Sequence, residues 1–273
     1  MKVAIVHYWF TGMRGGEKVV ETLCGMFPEA DLFAHVAAPD TMSDALRRHR
    51  IETTFIQRLP GASRWYRRYL ALMPLALEQL DLREYDLVIS SESGPTKGVL
   101  APPSAAHVCY CHTPMRYLWD MYHPYLEKAG LLTRTVMRPV MHYLRQWDVS
   151  SASRVDRFVA NSEHVRRRIR RYYGRSADVV HPPVDVEAFE LREEREDFYL
   201  VVGQLVAYKR VDLAVGALTR LGRPLVVIGH GERERELRRR AGPGVRFLGW
   251  QPDEIVRDHY ARCRAVVFPG LED

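Results

Sequence analysis

Residues 3–27, VAIVHYWFTGMRGGEKVVETLCGMF, decide how the rest of the chain is read. The apolar run 3–6 ends at polar His7 and has the length of a buried strand. Gly12, Gly15 and Gly16 follow in a loop, and Glu17 opens a helix whose apolar stripe is Val19, Val20, Leu23, Cys24 and Phe27. A strand, a glycine-containing loop and a helix make one βα unit, in which the loop brings backbone N–H groups to an anion at the helix N-terminus. The glycines are not spaced G-x-G-x-x-G, which disfavours a nicotinamide-dependent oxidoreductase.

The same alternation runs through the chain. Strands are predicted at 3–7, 31–36, 53–56, 86–90, 107–111, 157–161, 178–181, 199–202, 225–228, 245–248 and 265–268. Most are separated by helix-length amphipathic stretches and are apolar on both faces, the pattern of parallel sheets in an α/β protein. Around His181-Pro182-Pro183-Val184-Asp185 the texture changes, and mixed charges continue to Asp197. Prolines fix an extended path there and charges keep it solvated, so two domains are predicted, 1–183 and 184–273. The second contains only four strands and stops directly after the last of them, so it reads as incomplete.

A composition of 47% hydrophobic and 27% charged residues is that of a globular protein. The run 3–6 is too brief for a signal peptide, and no stretch approaches the roughly 20 apolar residues of a membrane span, so a soluble cytoplasmic protein is expected. Cys24, Cys109, Cys111 and Cys263 are too scattered for a disulfide framework. Cys109 and Cys111, followed by His112, invite a metal reading, but they sit in a strand-like run with no second ligand pair, and packing is the stronger reading. The net charge of +6 is concentrated: residues 154–175 carry eight arginines against Asp156 and Glu163, a local excess of 8 − 2 = 6.

Five segments carry the unusual residue types, each at the end of a predicted strand. They are the loop 11–18, the stretch CYCHTPMRYLWD at 109–120, the loop GQLVAYKRVD at 203–212, Gly229-His230-Gly231 and the terminal 268–273. The second brings together a hydrogen-bonding histidine, an anion partner in Arg116 and stacking aromatics, with Trp119 read as core. In the third, Lys209 is one of only five lysines against 35 arginines and stands just before a helix, where it suits a diphosphate. Carboxyl ends of parallel strands are where open α/β sheets bind ligands.

With 159–162 (VANS) and 181–185 added, these segments resemble, in order and along the whole chain, the retaining glycosyltransferases of family four. The wording is closest to bacterial mannosyltransferase-like members of surface-polysaccharide assembly. The resemblance implies a GT-B fold, two Rossmann-like domains with parallel sheets facing across a cleft, the first on the acceptor side and the second binding the donor. It implies transfer of a hexose such as mannose from a nucleotide-sugar, with retained configuration, to a glycan or lipid-linked acceptor. Catalytic roles fall on His112, touching the transferring sugar, on Lys209, neutralising the leaving diphosphate, and on Glu272, first of a glutamate pair whose second member lies past the end of this sequence. Gly15 and Gly16 would lie by the donor phosphates or the acceptor, and Arg116, Asn161, Gly203, Gln204, Arg210 and Gly229 complete the substrate-binding set. Gln204 departs from the family, which commonly has arginine there, leaving Arg210 or Arg116 to supply the charge.

No cofactor and no divalent metal are implied, and no Asp-x-Asp is present to hold one. The arginines at 166–171 surround a helix, which is either a solvated face or a site for an anionic membrane surface, peripheral on the inner face. A basic-patch module for nucleic acid is the weaker rival, because no recognised motif surrounds these arginines. An inactive glycosyltransferase remnant is the other.

Overall fold

The computed structural model describes residues 1–270. It divides into two compact units, Met1–Pro183 and Val184–Asp273.

In unit 1, seven strands form one parallel sheet: β1 (Val3–Phe10), β2 (Asp31–Ala37), β3 (Ile51–Thr53), β4 (Leu87–Glu92), β5 (Ala106–Cys111), β6 (Arg157–Ala160) and β7 (Ala177–Val179). Their order is β3-β2-β1-β4-β5-β6-β7, so the chain reverses direction across the sheet between β1 and β4. The helices of this unit are α1 (Gly15–Met26), α2 (Asp44–Arg47), α3 (Ala62–Trp65), α4 (Met73–Leu77), α5 (Tyr122–Lys128), α6 (Leu131–Ser151) and α7 (Glu163–Tyr173). Alternation along β1 divides the core: Val3 and Ile5 pack with Val20 and Cys24 of α1, while Ala4 and Val6 pack with Leu144 and Trp147 of α6. Cys109 and Cys111 point into a third apolar cluster with Phe158, Val165 and Ile169. Among the described residues, no group of three metal-ligating side chains forms, and no helix is long and apolar enough to cross a membrane.

Unit 2 holds β8 (Tyr199–Val202), β9 (Leu225–Ile228), β10 (Val245–Gly249) and β11 (Ala265–Val266), parallel and ordered β10-β9-β8-β11. Helices α8 (Val211–Arg220), α9 (Glu234–Arg240) and α10 (Asp253–Arg262) connect them. Here too the order reverses beside the first strand, between β8 and β11.

Local chemistry sets the ends of these elements. Ser162 caps α7 by accepting from Val165 N at 3.3 Å, and Gly174 closes it in the left-handed region at φ 65°. The helix predicted to open at Glu17 starts two residues earlier, because the Glu17 carboxylate reaches back to Arg14 N at 3.2 Å and closes a capping box. The strand predicted at 53–56 lies instead at Ile51–Thr53. The Thr54 hydroxyl accepts from Ile56 N and turns the chain into a 3-10 helix at Phe55–Arg58.

Candidate functional site

At the β1/β4 reversal the register aligns polar side chains. His7 pairs with Ser91 across β1 and β4, and Ser91 with Tyr110 across β4 and β5, so His112, two residues beyond Tyr110, follows on the same face. The side chains meet: His7 Nδ1 is 3.0 Å from Ser91 Oγ, and that oxygen is 2.9 Å from His112 Nε2. On the far side, His7 Nε2 faces Glu17 Oε1 at 4.0 Å. That separation suits an ion pair but is too long for a hydrogen bond, and both atoms are buried without one. Trp9 Nε1 and Thr11 Oγ1, at the end of the same strand, are likewise buried without a partner.

Burial sets the charge states. It drives the His7 imidazole well below 6.5, helped by His112, and lowers His112 to about 4. Both rings are therefore neutral at neutral pH. The Glu17 carboxyl is raised by the same burial, against which Arg14 and the capping contact pull. Tyr8 is pushed up to about 12 by burial and then by Glu17. Gly16 is fixed by this packing: a Cβ there would lie 2.6 Å from Tyr8 Oη and 3.3 Å from His7 Cε1.

A buried ionic cluster adjoins the reversal. Lys97, Glu92 and Asp148 are all fully buried. Lys97 Nζ donates to Glu92 Oε1 at 2.8 Å and also to Asp148, which accepts from Trp119 Nε1 at 2.8 Å and Tyr173 Oη at 3.1 Å. Glu92 Oε2 takes Lys97 N at 2.7 Å and Thr96 Oγ1 at 2.9 Å. Burial lowers the Lys97 ammonium but Asp148 and Glu92 more than offset it, so it stays charged. One cation for two carboxylates leaves Glu92 raised, chiefly by burial. The Glu92 carbonyl accepts from His112 N at 2.8 Å, which ties this cluster to the site.

The β8/β11 reversal is built differently. Gly203 (φ +145°) and Gly229 (φ +132°) adopt conformations that other residues rarely take, and a Cβ on Gly229 would sit 2.0 Å from Gly203 O. Leu205 N bonds His230 O at 3.0 Å, fastening the loop after β8 to the loop after β9. The positive charges here are accessible. Lys209 is partly exposed, its Nζ 5.4 Å from the Phe268 ring beyond β11. Arg210, at φ 48°, lies 3.4 Å from Asp212, which Arg233 also approaches at 3.3 Å.

The residues singled out from sequence thus divide between the units. Gly15, Gly16 and His112 surround the first reversal, where Gly15 is exposed with open space around it. Arg116 follows β5, and Asn161 follows β6, where its Oδ1 accepts from Ser162 Oγ at 3.0 Å. Gly203, exposed Gln204, Lys209, Arg210 and Gly229 surround the second. Glu272 lies outside the described residues. Of the arginines at 166–171, Arg168 is buried and ion-paired with Asp120 and so leaves the basic face, while Arg166, Arg167, Arg170 and Arg171 are exposed.

Residues 13–188 match the family described as Glycosyltransferase Family 4. The chain belongs to that family. Residues 196–273 match the family described as Glycosyl transferases group 1. A curated relative, the O-antigen chain mannosyltransferase C of Escherichia coli, is 36% identical over 79 residues, a match spanning 28% of this chain and 21% of that protein. Among solved structures, Anabaena HepE in complex with UDP aligns over 97% of this chain and 73% of its own, with 15% identity and a TM-score of 0.67. Sucrose-phosphate synthase from Thermosynechococcus elongatus aligns over 99% and 76%, with 13% identity and a TM-score of 0.63. The likeness to these two proteins assigns the GT-B fold. In this family 4 chain, the sequence singles out His112 as a candidate but not its neighbours, since Glu17 reads only as a helix opener and Ser91 carries no signal of its own. The available signal was a polar residue within or just beyond each of three adjacent strands, His7 in β1, Ser91 in β4 and His112 after β5, where an apolar one would have extended the core.

Proposed function

We propose that the chain is a glycosyltransferase that takes a hexose from a nucleoside-diphosphate sugar and passes it, with retained configuration, to a glycan or lipid-linked hydroxyl. One observation carries the reading: in a family 4 chain, buried His7 Nε2 and Glu17 Oε1 without hydrogen-bond partners stand at the first strand-order reversal, and positive-φ Gly203 and Gly229 with partly exposed Lys209 stand at the second, where α/β sheets bind ligands. The UDP bound by the similar HepE structure supports the nucleotide part, and the mannosyltransferase relative supports a hexose.

Under this reading unit 1 serves the acceptor and the transferring sugar, and unit 2 the nucleoside diphosphate. Lys209 offsets the charge that develops on the departing diphosphate, and the glycine-paired loops admit phosphate close to the backbone. His112, neutral, exchanges a hydrogen bond with a hydroxyl of the sugar. Gly15 leaves the N-terminus of α1 open to an anion. No divalent metal takes part. The exposed arginines of α7 favour an anionic membrane surface, each contributing about 1 kcal/mol near it. Retention on phosphatidylglycerol vesicles that disappears when Arg166, Arg167, Arg170 and Arg171 become glutamate checks that part.

Calorimetric titration with uridine and guanosine diphosphates in the presence of a chelator tests the main reading. Saturable binding of at least one, together with its release from the matching nucleotide-sugar on turnover, supports it. Binding of neither, or binding only with added magnesium, contradicts it.

A further inference from the structure

Glu17, His7, Ser91 and His112 line up from the buried start of α1 to a partly exposed ring, hydrogen-bonded from His7 to His112 and approached at the buried end by Glu17 at 4.0 Å. Ser91 Oγ stands between two imidazole nitrogens, 3.0 Å from His7 Nδ1 and 2.9 Å from His112 Nε2. A serine hydroxyl carries one proton, so it donates to one ring and accepts from the other. Two arrangements satisfy both contacts, and they leave His112 Nδ1 in opposite states. Nδ1 makes no hydrogen bond among the described residues, so its state is what the ring offers to a ligand.

The buried end decides between them. Glu17 Oε1 faces His7 Nε2 at 4.0 Å, and neither atom has another partner. Glu17 lies in the first turn of α1, where the helix favours a carboxylate, and its Oε2 accepts from Arg14 N at 3.2 Å. Burial raises this carboxyl, but Arg14 and the capping contact pull the other way; as an anion, Glu17 draws the single proton of the neutral His7 ring to Nε2. His7 Nδ1 is then bare and accepts from Ser91 O–H. Ser91 Oγ in turn accepts from His112 Nε2–H, and His112 Nδ1 is left with its lone pair.

We propose that Glu17, acting through His7 and Ser91, is a positioning residue that fixes His112 as the Nε2–H tautomer, so that its Nδ1 accepts a hydrogen bond from a hydroxyl of the bound sugar. This rests on the assignment of His112 to the transferring sugar. Each ring keeps one proton throughout; the chain sets only where it sits.

Glu17→Gln is the sharpest probe. The Arg14 N–H holds the amide oxygen, which turns the amide NH2 toward His7 Nε2 and reverses every donor along the line. Long-range proton–nitrogen correlation on histidine-labelled protein reads the tautomer of His112 directly, with or without turnover. The wild type should show Nε2–H, E17Q should show Nδ1–H, and Ser91→Ala should remove the preference and make His112 insensitive to E17Q. Turnover of the nucleotide-sugar should fall roughly tenfold in E17Q, the scale of one neutral hydrogen bond, with unchanged affinity for the nucleoside diphosphate. If E17Q does not fold, S91A carries the test alone through the mixed tautomer. A His112 that is Nδ1–H in the wild type, or is the same in all variants, overturns the proposal. Should the tautomer shift in a protein that turns over no nucleotide-sugar, the relay stands and the assignment of the site falls.

Discussion

The two units reverse strand order beside their first strand, yet the chemistry at the two reversals differs in kind. Between β1 and β4 the chain places two neutral imidazoles on one serine hydroxyl, with His7 and Ser91 buried and His112 partly exposed. Between β8 and β11 it places glycines that let backbone approach backbone, and partly exposed cations. Under the proposed function, the hydrogen-bonding line of unit 1 distinguishes uncharged hydroxyls, whereas the partly exposed cations of unit 2 suit a diphosphate, whose charge they offset without being buried themselves. On that reading one topology supports two recognition chemistries, and single residues near strand ends choose between them.

Acid separates the units most strongly. His35 and His107 are lowered to about 4 by burial, as is His112, and His7 lies well below its ordinary value. An unfolded imidazole takes its proton near 6.5, before these folded ones do, so their contribution is complete above pH 6.5 and is lost as pH falls toward about 4. Glu17 and Glu92, raised by burial, work in the opposite sense and temper the loss. Circular dichroism and tryptophan fluorescence followed from pH 7 to pH 4 should show unit 1, with Trp9, Trp65, Trp119 and Trp147, unfolding while unit 2 persists. Simultaneous unfolding of both, or none, breaks the contrast.

Lys97→Met comes next, since it leaves Glu92 and Asp148 buried without their cation. Denaturant titration should show unit 1 losing about 3 to 5 kcal/mol, and a loss below about 1 kcal/mol would show that the cluster adjusts its protonation freely. For unit 2 the matching change is Gly229→Ala, which forces a Cβ to 2.0 Å from Gly203 O at φ +132°. Hydrogen exchange should report destabilisation of about 2 to 3 kcal/mol confined to unit 2, with nucleoside diphosphate binding lost. The smallest effect is that of Lys209→Ala, a charge-assisted phosphate contact of about 1.5 to 3 kcal/mol, read as weaker nucleoside diphosphate binding in calorimetry.

Most of the fold was legible in the sequence because apolar strands and amphipathic helices announce themselves by period. The third strand was misplaced because Thr54 reads as a strand residue until its hydroxyl is seen capping a turn. Loop residues such as Lys209 stood out by rarity of type. His7, Ser91 and Glu17 did not, because their meaning comes from register, and the pairing of His7 with Ser91, 84 positions away, is a property of the sheet. Lys97 and Asp148, 51 positions apart, were hidden for the same reason.

The central claim, that one reversal reads the sugar and the other the diphosphate, is tested most directly by titrating His112→Ala and Lys209→Ala with a nucleoside diphosphate and with the nucleotide-sugar that contains it. Lys209→Ala should weaken both ligands by the same factor, and His112→Ala should weaken only the nucleotide-sugar. Equal loss of both ligands in both variants, or no loss in either, would contradict the division.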